Sequence, residues 1–407
     1  MGVRPLVPRL RPGRRLRARA IAGGQHRRDA RGLLLRARSR RPCARSAAVA
    51  VTARETGFDL SLTEEQELAR KAARDFATEK VLPRAAEIDE QGRIPRELIA
   101  EMGALGFMGS YVPERYGGSG LDAVSYALIV EEINRACAST GVVLCSHMSL
   151  AVDPILHHGS EEQKARFLPG MARGERIGCF ALSEPASGSD AAAMRTSARR
   201  DGDTWVLNGT KNFITNGSIA DVAVVFAQTQ APGSGEERPA ERHKGIAAFV
   251  VETKTPGFAV GKLERKLGIR GSDTAQLVFE DCRVPAANLL GGVGDGFRIA
   301  LSTLDGGRIS IAAQAVGIAR ACLEDALAYA NERQAFGKRI GEFQAIQWML
   351  ADMATEIDAA RLLTWRAAAL KDAGADHILA AAEAKLFASD VAVKAARDCV
   401  QIFGGYG

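Results

Sequence analysis

The sequence predicts an α+β protein in which a β module lies between two helical regions. Apolar residues recur at helical spacing from Leu62 to about Arg173, and they do so again from Phe297 onwards. Between Ile177 and Pro285 the pattern changes to short β-type runs separated by Gly, Pro and polar turns. We therefore divide the chain into four parts, which are residues 1–54, 55–175, 176–288 and 289–407.

The first part differs from the rest in charge. Residues 1–54 hold 16 Arg and one acidic residue, whereas residues 55–407 carry 38 basic and 47 acidic residues. Such an Arg-rich, acid-poor opening is typical of a mitochondrial transit peptide, but a start codon assigned too far upstream would look the same. We expect it to be disordered under either interpretation. The acidic remainder argues against a nucleic-acid partner, because phosphate recognition needs clustered positive charge.

Composition also indicates where in the cell the protein resides. No run of 18 or more apolar residues occurs, which predicts that the chain has no membrane span. Seven Cys without a CxxC pair favour reduced thiols inside the cell, and the six His show no metal-site spacing. We expect a soluble protein of the cytoplasm, or of the mitochondrial matrix if residues 1–54 are a transit peptide.

Local signals define the elements within each region. Thr63 is a candidate N-cap for a helix whose first turn is acidic. In the β module, Asn208-Gly209 lies between two β-rich runs and predicts a hairpin with a type I′ turn. Residues 230–244 have the composition of a solvated loop.

Three long helices are predicted after the β module, at about 297–331, 342–372 and 376–403. The third has apolar and small residues at alternating steps of four and three, which predicts a packing seam. The seam consists of Ala382, Leu386, Ser389, Val393, Ala396, Val400 and Phe403. Bundles of this type are usually closed by a fourth antiparallel helix, so we expect an incomplete bundle with an exposed apolar face.

Five segments in this order resemble successive motifs of the acyl-CoA dehydrogenase family. They are "FALSEPASGSD" (180–190), "LNGTKNFITN" (207–216), "KLGIRGSDTAQLVFEDCRVP" (266–285), "NERQAFGKRIGEFQAIQ" (331–347) and "QIFGGYG" (401–407). The resemblance runs from about residue 58 onwards. It implies that family's fold, with an N-terminal helical domain, a central β-barrel or sheet domain and a C-terminal helical bundle, here incomplete.

The resemblance also implies the residues that bind FAD and substrate. Without it, the serine-rich segment would be an ordinary turn, the second motif strand core, and Arg333 a solvated residue at a helix end. It assigns FAD to Phe180, Ala181, Leu182, Ser183, Ser189, Phe213, Ile214 and Thr215, and a neighbouring subunit's FAD to Arg333, Gln344, Gln401, Ile402, Phe403, Gly404 and Gly405. It assigns the acyl-CoA to Ser189, Asp305, Gly306, Gly307 and Arg308.

The implied reaction is α,β-dehydrogenation of a short-chain acyl-CoA, as in fatty-acid β-oxidation, by a homotetramer. A carboxylate removes the α-proton, hydride passes to the flavin, and electrons then pass to electron-transferring flavoprotein. Family members place the catalytic Glu either immediately before the Arg of the 305–308 segment, which here is Gly307, or in a loop after the "GGYG" motif, which here ends at the last residue, Gly407. We therefore expect the catalytic Glu to lie beyond Gly407, name no catalytic residue, and expect a C-terminally truncated polypeptide that cannot abstract the α-proton.

Two other functions stay open at this stage. A non-catalytic protein that binds FAD or acyl-CoA would hold ligand without turnover, and an acyl-CoA oxidase would produce peroxide. A purely structural helical protein would leave the polar runs at 180–190 and 266–273 without a purpose. The preferred chain length depends on the depth of a pocket that only the fold can define.

Overall fold

The computed structural model describes residues 61–229 and 243–407. It shows the predicted α+β architecture, in which a central sheet is covered by an N-terminal group of helices and followed by three long helices. The disorder expected for residues 1–54 lies outside the described residues, as does most of the loop predicted at 230–244.

The N-terminal helices begin as the sequence predicts. The Thr63 hydroxyl accepts a hydrogen bond from the Gln66 backbone N–H, and the Gln66 side chain accepts one from the Thr63 N–H, which completes a capping box. The helices are α1 (Glu64–Phe76), α2 (Ala85–Gln91), α3 (Arg96–Ala104), α4 (Ala123–Ala136), α5 (Ala138–Cys145), α6 (Asp153–His158) and α7 (Glu161–Ala172). A π-helical turn, Ser146–Val152, joins α5 to α6.

The stretch Ala138–His158, which contains that turn, is long and apolar enough to cross a membrane by length and composition. It has a mean hydropathy of 1.3, and 83% of its most apolar window is buried inside the protein. Such burial is typical of a core helix.

The central sheet has eight strands, which are β1 (Gly178–Ala181), β2 (Ser197–Asp201), β3 (Thr204–Thr215), β4 (Val222–Gln228), β5 (Ile246–Glu252), β6 (Phe258–Leu263), β7 (Thr274–Pro285) and β8 (Leu289–Leu290). Seven of them lie in the order β6-β7-β3-β2-β4-β5-β8, and β1 pairs in parallel with β4. Strands β4 and β5 are buried almost throughout, because helices cover one face and the rest of the sheet covers the other.

The hairpin predicted at Asn208-Gly209 is wrong. Both residues lie within the continuous strand β3, at a bulge where its register against β7 shifts. The Asn208 side chain exchanges hydrogen bonds with Asp281 on β7, and Gly209 provides the positive φ, +145°, that the bulge requires. The true hairpin joins β2 to β3 through Gly202, whose φ is +58°. The Asn-Gly pair therefore forms a bulge, because its backbone preferences suit a bulge as well as a hairpin turn.

Three helices follow the sheet, close to the predicted bounds. They are α8 (Gly296–Glu332), α9 (Gln344–Asp372) and α10 (Ile378–Phe403), and the short strands β9 (Gln334–Ala335) and β10 (Lys338–Arg339) lie between α8 and α9. Helix α8 packs against α4, α9 and α10, so that it joins the N-terminal helices to the bundle.

The seam predicted on α10 is on the wrong face. The residues that pack against α8 and α9 are mainly alanines one or two positions away, and they are Ala380, Ala381, Ala384, Ala388, Val391, Ala395 and Ile402. Small side chains allow the helices to approach closely, so the larger residues Leu386 and Val393 remain on the outside, the latter 72% exposed. The larger aliphatic members of the predicted seam, Leu386, Val393 and Val400, thus form an exposed apolar face.

Candidate functional site

Two of the sequence motifs meet at the end of the sheet. The segment after β1 (residues 182–189) lies against the end of β3, and the Asn212 N–H donates to the Ser183 carbonyl at 2.9 Å. The Lys211 ammonium, from a side chain that is 0% exposed, donates to the Leu182 carbonyl at 3.0 Å and to Glu184 Oε1 at 2.8 Å. A buried ion pair therefore fixes one motif on the other.

The surroundings of Glu184 satisfy its charge. The carboxylate also accepts hydrogen bonds from the backbone N–H groups of Arg195 and Thr196, at 2.6 and 2.9 Å. Burial alone would raise the pKa of Glu184, but Lys211 and these N–H groups lower it overall. Burial lowers the pKa of Lys211 to about 8, against the opposing effect of Glu184.

The end of β3 carries an exposed aromatic side chain, Phe213, whose surface we call the shelf. Phe213 has a φ of +59° and its side chain is 64% exposed, while Ile214 next to it is buried. Asn216 also has positive φ, and its amide donates to the carbonyls of Val143 and Gly178 at 3.2 Å. Positive φ at a bulky residue is strained and clusters at functional sites. Here it turns Phe213 outward and leaves Thr215 facing a cavity.

A buried histidine connects the helices to β1. His147 Nδ1 accepts a hydrogen bond from the Gly178 N–H at 3.0 Å, so Nε2 carries the proton and donates to the Met108 carbonyl at 3.1 Å. Burial lowers the pKa of His147 to about 4. The neutral ring therefore holds the start of β1, from which the Phe180–Ser183 segment continues.

A cavity of about 260 Å³, the acyl cavity, lies between the shelf and the helices. Its walls come from α5, the π-helical turn, the end of β3, α8 and α10. They are mostly apolar and consist of Val142, Cys145, Ser146, Ser149, Leu150, Thr215, Leu304, Gly307, Arg308, Ile311 and Lys385. In the part of the chain that the structure describes, no carboxylate lines this cavity.

The predicted substrate residues lie on α8 at this cavity. Arg308 forms an ion pair with Asp305, one turn earlier on the helix. Gly307 lines the acyl cavity, and a Cβ added to it would lie 3.1 Å from the Leu150 side chain. Gly306 lines a different cavity of about 230 Å³, the second cavity. Its walls are Tyr111, Leu121, Ala123, Tyr126, Ser149, Leu156, His157, Gly306, Ile309, Lys371 and Asp372.

The two positions considered for a catalytic Glu lie at opposite ends of the C-terminal helices. Gly307 occupies the first, on α8 at the acyl cavity. The second would follow Gly407, the last residue, whose N–H donates to the Gly404 carbonyl at 3.1 Å in the short turn after α10. A Cβ added to Gly407 would lie 2.4 Å from the Val400 carbonyl oxygen, so the turn is closed against the end of α10. The expectation of a Glu beyond Gly407 stays a prediction.

The remaining predicted residues are gathered far from the shelf. Arg333 follows α8, and its guanidinium lies 5.8 Å from the ring centroid of Tyr406. Phe403, at the end of α10, stacks on Tyr329 with 4.3 Å between centroids. Arg308 and Arg333 are separated by 25 residues, almost all in α8, which is roughly 38 Å along the helix. Arg333 therefore cannot reach the shelf of its own chain.

Gln344, at the first position of α9, and Gln401, Gly404 and Gly405 are exposed near this end of the bundle, whereas Ile402 is buried against α8. Ser189 is exposed on the segment after β1, while Phe180, Ala181 and Leu182 are buried.

Several residues of this region were missed from the sequence. Lys211 lies within a quoted motif, but a lysine on a strand gives no sign of being buried. Tyr111 comes from a segment that resembles a plain connector, and Tyr126 and Lys371 come from helices distant in the chain. The π-helical turn that carries Ser149 could not be found from the sequence, because π-helical turns have no sequence pattern. Such turns nevertheless occur frequently at functional sites.

Three family models match the chain in sequence order. They are the acyl-CoA dehydrogenase N-terminal domain over residues 63–175, the middle domain over 179–282 and the C-terminal domain over 294–407. The chain belongs to the acyl-CoA dehydrogenase family. By this homology the protein is a flavoprotein oxidoreductase of fatty-acid metabolism, in a family whose members are typically tetrameric.

Relatives of this acyl-CoA dehydrogenase include short-chain enzymes. The short-chain specific acyl-CoA dehydrogenase of Clostridium acetobutylicum is 48% identical over 350 residues, covering 86% of this chain and 90% of the relative. The human mitochondrial short-chain specific enzyme is 50% identical over 348 residues, with coverage of 86% and 82%.

Two solved structures are similar in both sequence and fold. Butyryl-CoA dehydrogenase from Megasphaera elsdenii superposes with a TM-score of 0.82 at 46% identity, covering 86% of this chain and 90% of that one. A chain from a structure of the electron transferring flavoprotein of Acidaminococcus fermentans superposes with a TM-score of 0.83 at 49% identity, with the same coverage.

Proposed function

We propose that this acyl-CoA dehydrogenase binds FAD at the Phe213 shelf and a short-chain acyl-CoA in the acyl cavity, for conversion to the trans-2-enoyl-CoA. The observation that carries the proposal is the position of Thr215, which ends the shelf strand and also lines the acyl cavity. A ligand on the shelf and an acyl chain in the cavity would therefore touch the same residue.

The residues at the shelf fit a flavin. An exposed aromatic side chain, Phe213, offers a flat apolar surface for an isoalloxazine ring, and the hydroxyls of Ser183, Ser189 and Thr215 can bond its heteroatoms. When bound, FAD would supply the hydride acceptor. Phe180, Ala181, Leu182 and Ile214 are buried, so their part is to fix the backbone that presents these groups.

The cavity fits a short acyl chain. Pockets for drug-sized ligands are usually about 300–1,000 Å³, and the acyl cavity, at about 260 Å³, is smaller. Its apolar walls exclude water from the carbon atoms that react. Gly307 adds no side chain to the walls, and Arg308, which also lines the cavity, is paired with Asp305.

The α-proton requires a base, and neither α8 nor the other described walls of the acyl cavity supply one. Gly307 has no side chain, and the Asp305 carboxylate is engaged by Arg308. In the described residues, which run to Gly407, the site can therefore bind and orient an acyl-CoA, and the proposal assigns no residue to proton abstraction.

The residues near Arg333 are proposed to belong to the flavin site of a neighbouring subunit. Arg333, Gln344, Gln401, Phe403, Gly404 and Gly405 lie too far along the bundle to serve the shelf of their own chain, but Arg and amide side chains suit a diphosphate and a nucleoside. We infer that they bind the FAD of a neighbouring subunit in a homotetramer. Electron-transferring flavoprotein is the proposed acceptor, in line with the similarity to a chain from such a structure.

An anaerobic titration tests the proposal. FAD-loaded protein is titrated with butyryl-CoA while the flavin absorbance is followed. A saturable spectral shift at micromolar butyryl-CoA is expected. Bleaching at an ordinary enzymatic rate would show that a base is present after all, whereas the absence of any shift would contradict the assignment of the site. Peroxide formation in air would favour the oxidase function.

A further inference from the structure

The second cavity adjoins the acyl cavity across a thin partition. Ser149 lines both cavities, and α8 contributes Gly306 to one and Gly307 to the other. A Cβ added to Gly306 would lie 2.9 Å from the Lys371 ammonium, which is inside the second cavity. The two glycines therefore leave their own part of the partition without side chains, and any side chain at position 306 would occupy the second cavity.

The second cavity contains a buried tyrosine hydroxyl, that of Tyr126, whose polar neighbours include the Ser149 and Ser310 hydroxyls. The Tyr126 side chain is 4% exposed, and its hydroxyl has no partner at hydrogen-bonding geometry among the described residues. The neighbouring Tyr111 differs, since its hydroxyl donates to the Met148 carbonyl at 2.6 Å. Burial raises the pKa of Tyr126, so the hydroxyl keeps its proton at neutral pH. A buried donor without a partner is unfavourable unless a ligand satisfies it.

The partition also offers acceptors. Ser149 Oγ donates to the Cys145 carbonyl at 2.6 Å, and Ser310 Oγ donates to the Gly307 carbonyl at 2.8 Å. The two hydroxyl oxygens are 3.0 Å apart. Because each proton is already directed at a carbonyl, the oxygen lone pairs remain available as acceptors. A ligand group that accepts a hydrogen bond from Tyr126 and donates one to Ser149 would satisfy both residues.

The charges on the wall select against an anion. The Lys371 ammonium is 3.2 Å from Asp153 Oδ1, and the His157 ring is 3.5 Å from the same atom. A second carboxylate, Asp372, accepts from the N–H groups of Ala123 and Val124 at 2.7 and 3.1 Å. Lys371 and His157 thus already contact Asp153, which is not itself on the wall, and the wall carries one further carboxylate, Asp372, so a terminal carboxylate on a ligand would find the Lys371 charge already compensated. A neutral group that both donates and accepts, which is a hydroxyl, fits better.

We propose that the second cavity is a subsite for the far end of the acyl chain, and that it selects acyl-CoAs carrying a terminal hydroxyl group. The chain would pass from the acyl cavity between Ser149 and the Gly306-Gly307 backbone, and its hydroxyl would accept from Tyr126. This inference rests on the proposed acyl-CoA function and adds the substrate class.

The test compares butyryl-, hexanoyl- and octanoyl-CoA with their ω-hydroxy counterparts by flavin-absorbance titration of the FAD-loaded protein. For a chain that reaches the subsite, the hydroxyl should tighten binding roughly tenfold, as one buried hydrogen bond would. Tyr126→Phe should bring the ratio of the two dissociation constants to about one. Gly306→Leu should do the same by filling the cavity. Tyr116→Phe, which alters a buried tyrosine outside both cavities, should keep the wild-type ratio.

The outcomes separate this inference from the function on which it rests. If butyryl-CoA binds but the ω-hydroxy ligands gain nothing at any length, the subsite holds water only and the inference is overturned. Tighter binding of adipoyl-CoA than of 6-hydroxyhexanoyl-CoA would overturn it as well, because the wall would then prefer an anion. Failure of every ligand, butyryl-CoA included, would overturn the proposed function and the subsite with it.

Discussion

The Lys211 ammonium lies 2.8 Å from the Glu184 carboxylate in a part of the protein where both side chains are buried. This pair joins the segment after β1 to the end of β3, and both segments belong to the proposed flavin site. Removing one partner of a buried ion pair leaves the other as an uncompensated charge, which is far more costly than losing a surface pair.

We expect Lys211→Ala to lower the free energy of unfolding by roughly 3–5 kcal/mol and to release FAD, because the Glu184 charge would remain buried. Urea denaturation and the flavin content of the purified protein measure the two effects. Arg366→Ala is the control, since Arg366 pairs with Glu383 on the surface and should change stability by about 1 kcal/mol or less. Equal effects of the two substitutions would show that the buried pair is not the connection described.

His147 should make stability depend on pH. Its pKa in the folded protein is about 4, against an ordinary value of 6.5, so between these values the unfolded chain binds the proton more readily. The stabilisation is complete above pH 6.5 and is lost as the pH falls through 4, by about 3 kcal/mol in all. His147→Gln keeps a neutral donor and acceptor. We expect the stability difference between wild type and this variant to shrink steadily from pH 7 to pH 4; a constant difference would mean that His147 does not titrate in the folded state as stated.

Gly307→Glu should introduce a carboxylate at the acyl cavity. The added side chain would enter beside Leu150, whose flexible end can move by the few tenths of an ångström required. We expect the variant to exchange the α-hydrogen of butyryl-CoA for solvent deuterium, measured by mass spectrometry, at least tenfold faster than the Gly307→Gln variant does, because a positioned general base contributes about 10²–10⁴-fold.

Gly307→Gln is the matched control, since it has the same size and cannot act as a base. Exchange that is equally fast with Gln and Glu would exclude a role for the carboxylate.

Arg333→Ala should weaken FAD retention without altering the shelf, because Arg333 lies roughly 38 Å along α8 from Arg308. Mixed oligomers provide the sharper measurement. Subunits with Arg333→Ala and subunits with Phe213→Ala are each expected to lose FAD, and refolding them together should restore some intact sites. If the mixture holds no more FAD than the separate variants do, the two groups do not form one site across subunits.

The order of helices and strands could be predicted from the sequence because it depends on local periodicity and caps. Thr63 caps α1 as expected, and the three long helices end within a few residues of their predicted bounds. The bulge at Asn208-Gly209 could not be predicted, because the same two residues satisfy a hairpin turn or a bulge and the choice is made by Asp281, more than 70 residues later.

Part of the candidate site could likewise be predicted from the sequence, and part of it could not. Phe213 and Thr215 could be assigned through motifs, since each lies within a short segment whose residues act together. The second cavity could not, because Tyr126 and Lys371 come from separate helices and meet only through the packing of α4 against α8 and α9. The packing face of α10 was misassigned for a related reason, as both its alanine face and its larger apolar face have helical spacing.

Helix α8 spans 37 residues without interruption. Its early turns form part of the wall between the two cavities, and the chain just beyond its last turn carries Arg333. A helix of this length behaves as a rod, so a small tilt at one end displaces the other. If Arg333 serves a neighbouring subunit, substrate binding at one active site would be mechanically linked to cofactor affinity at the next, and cooperativity would be a property of this single element.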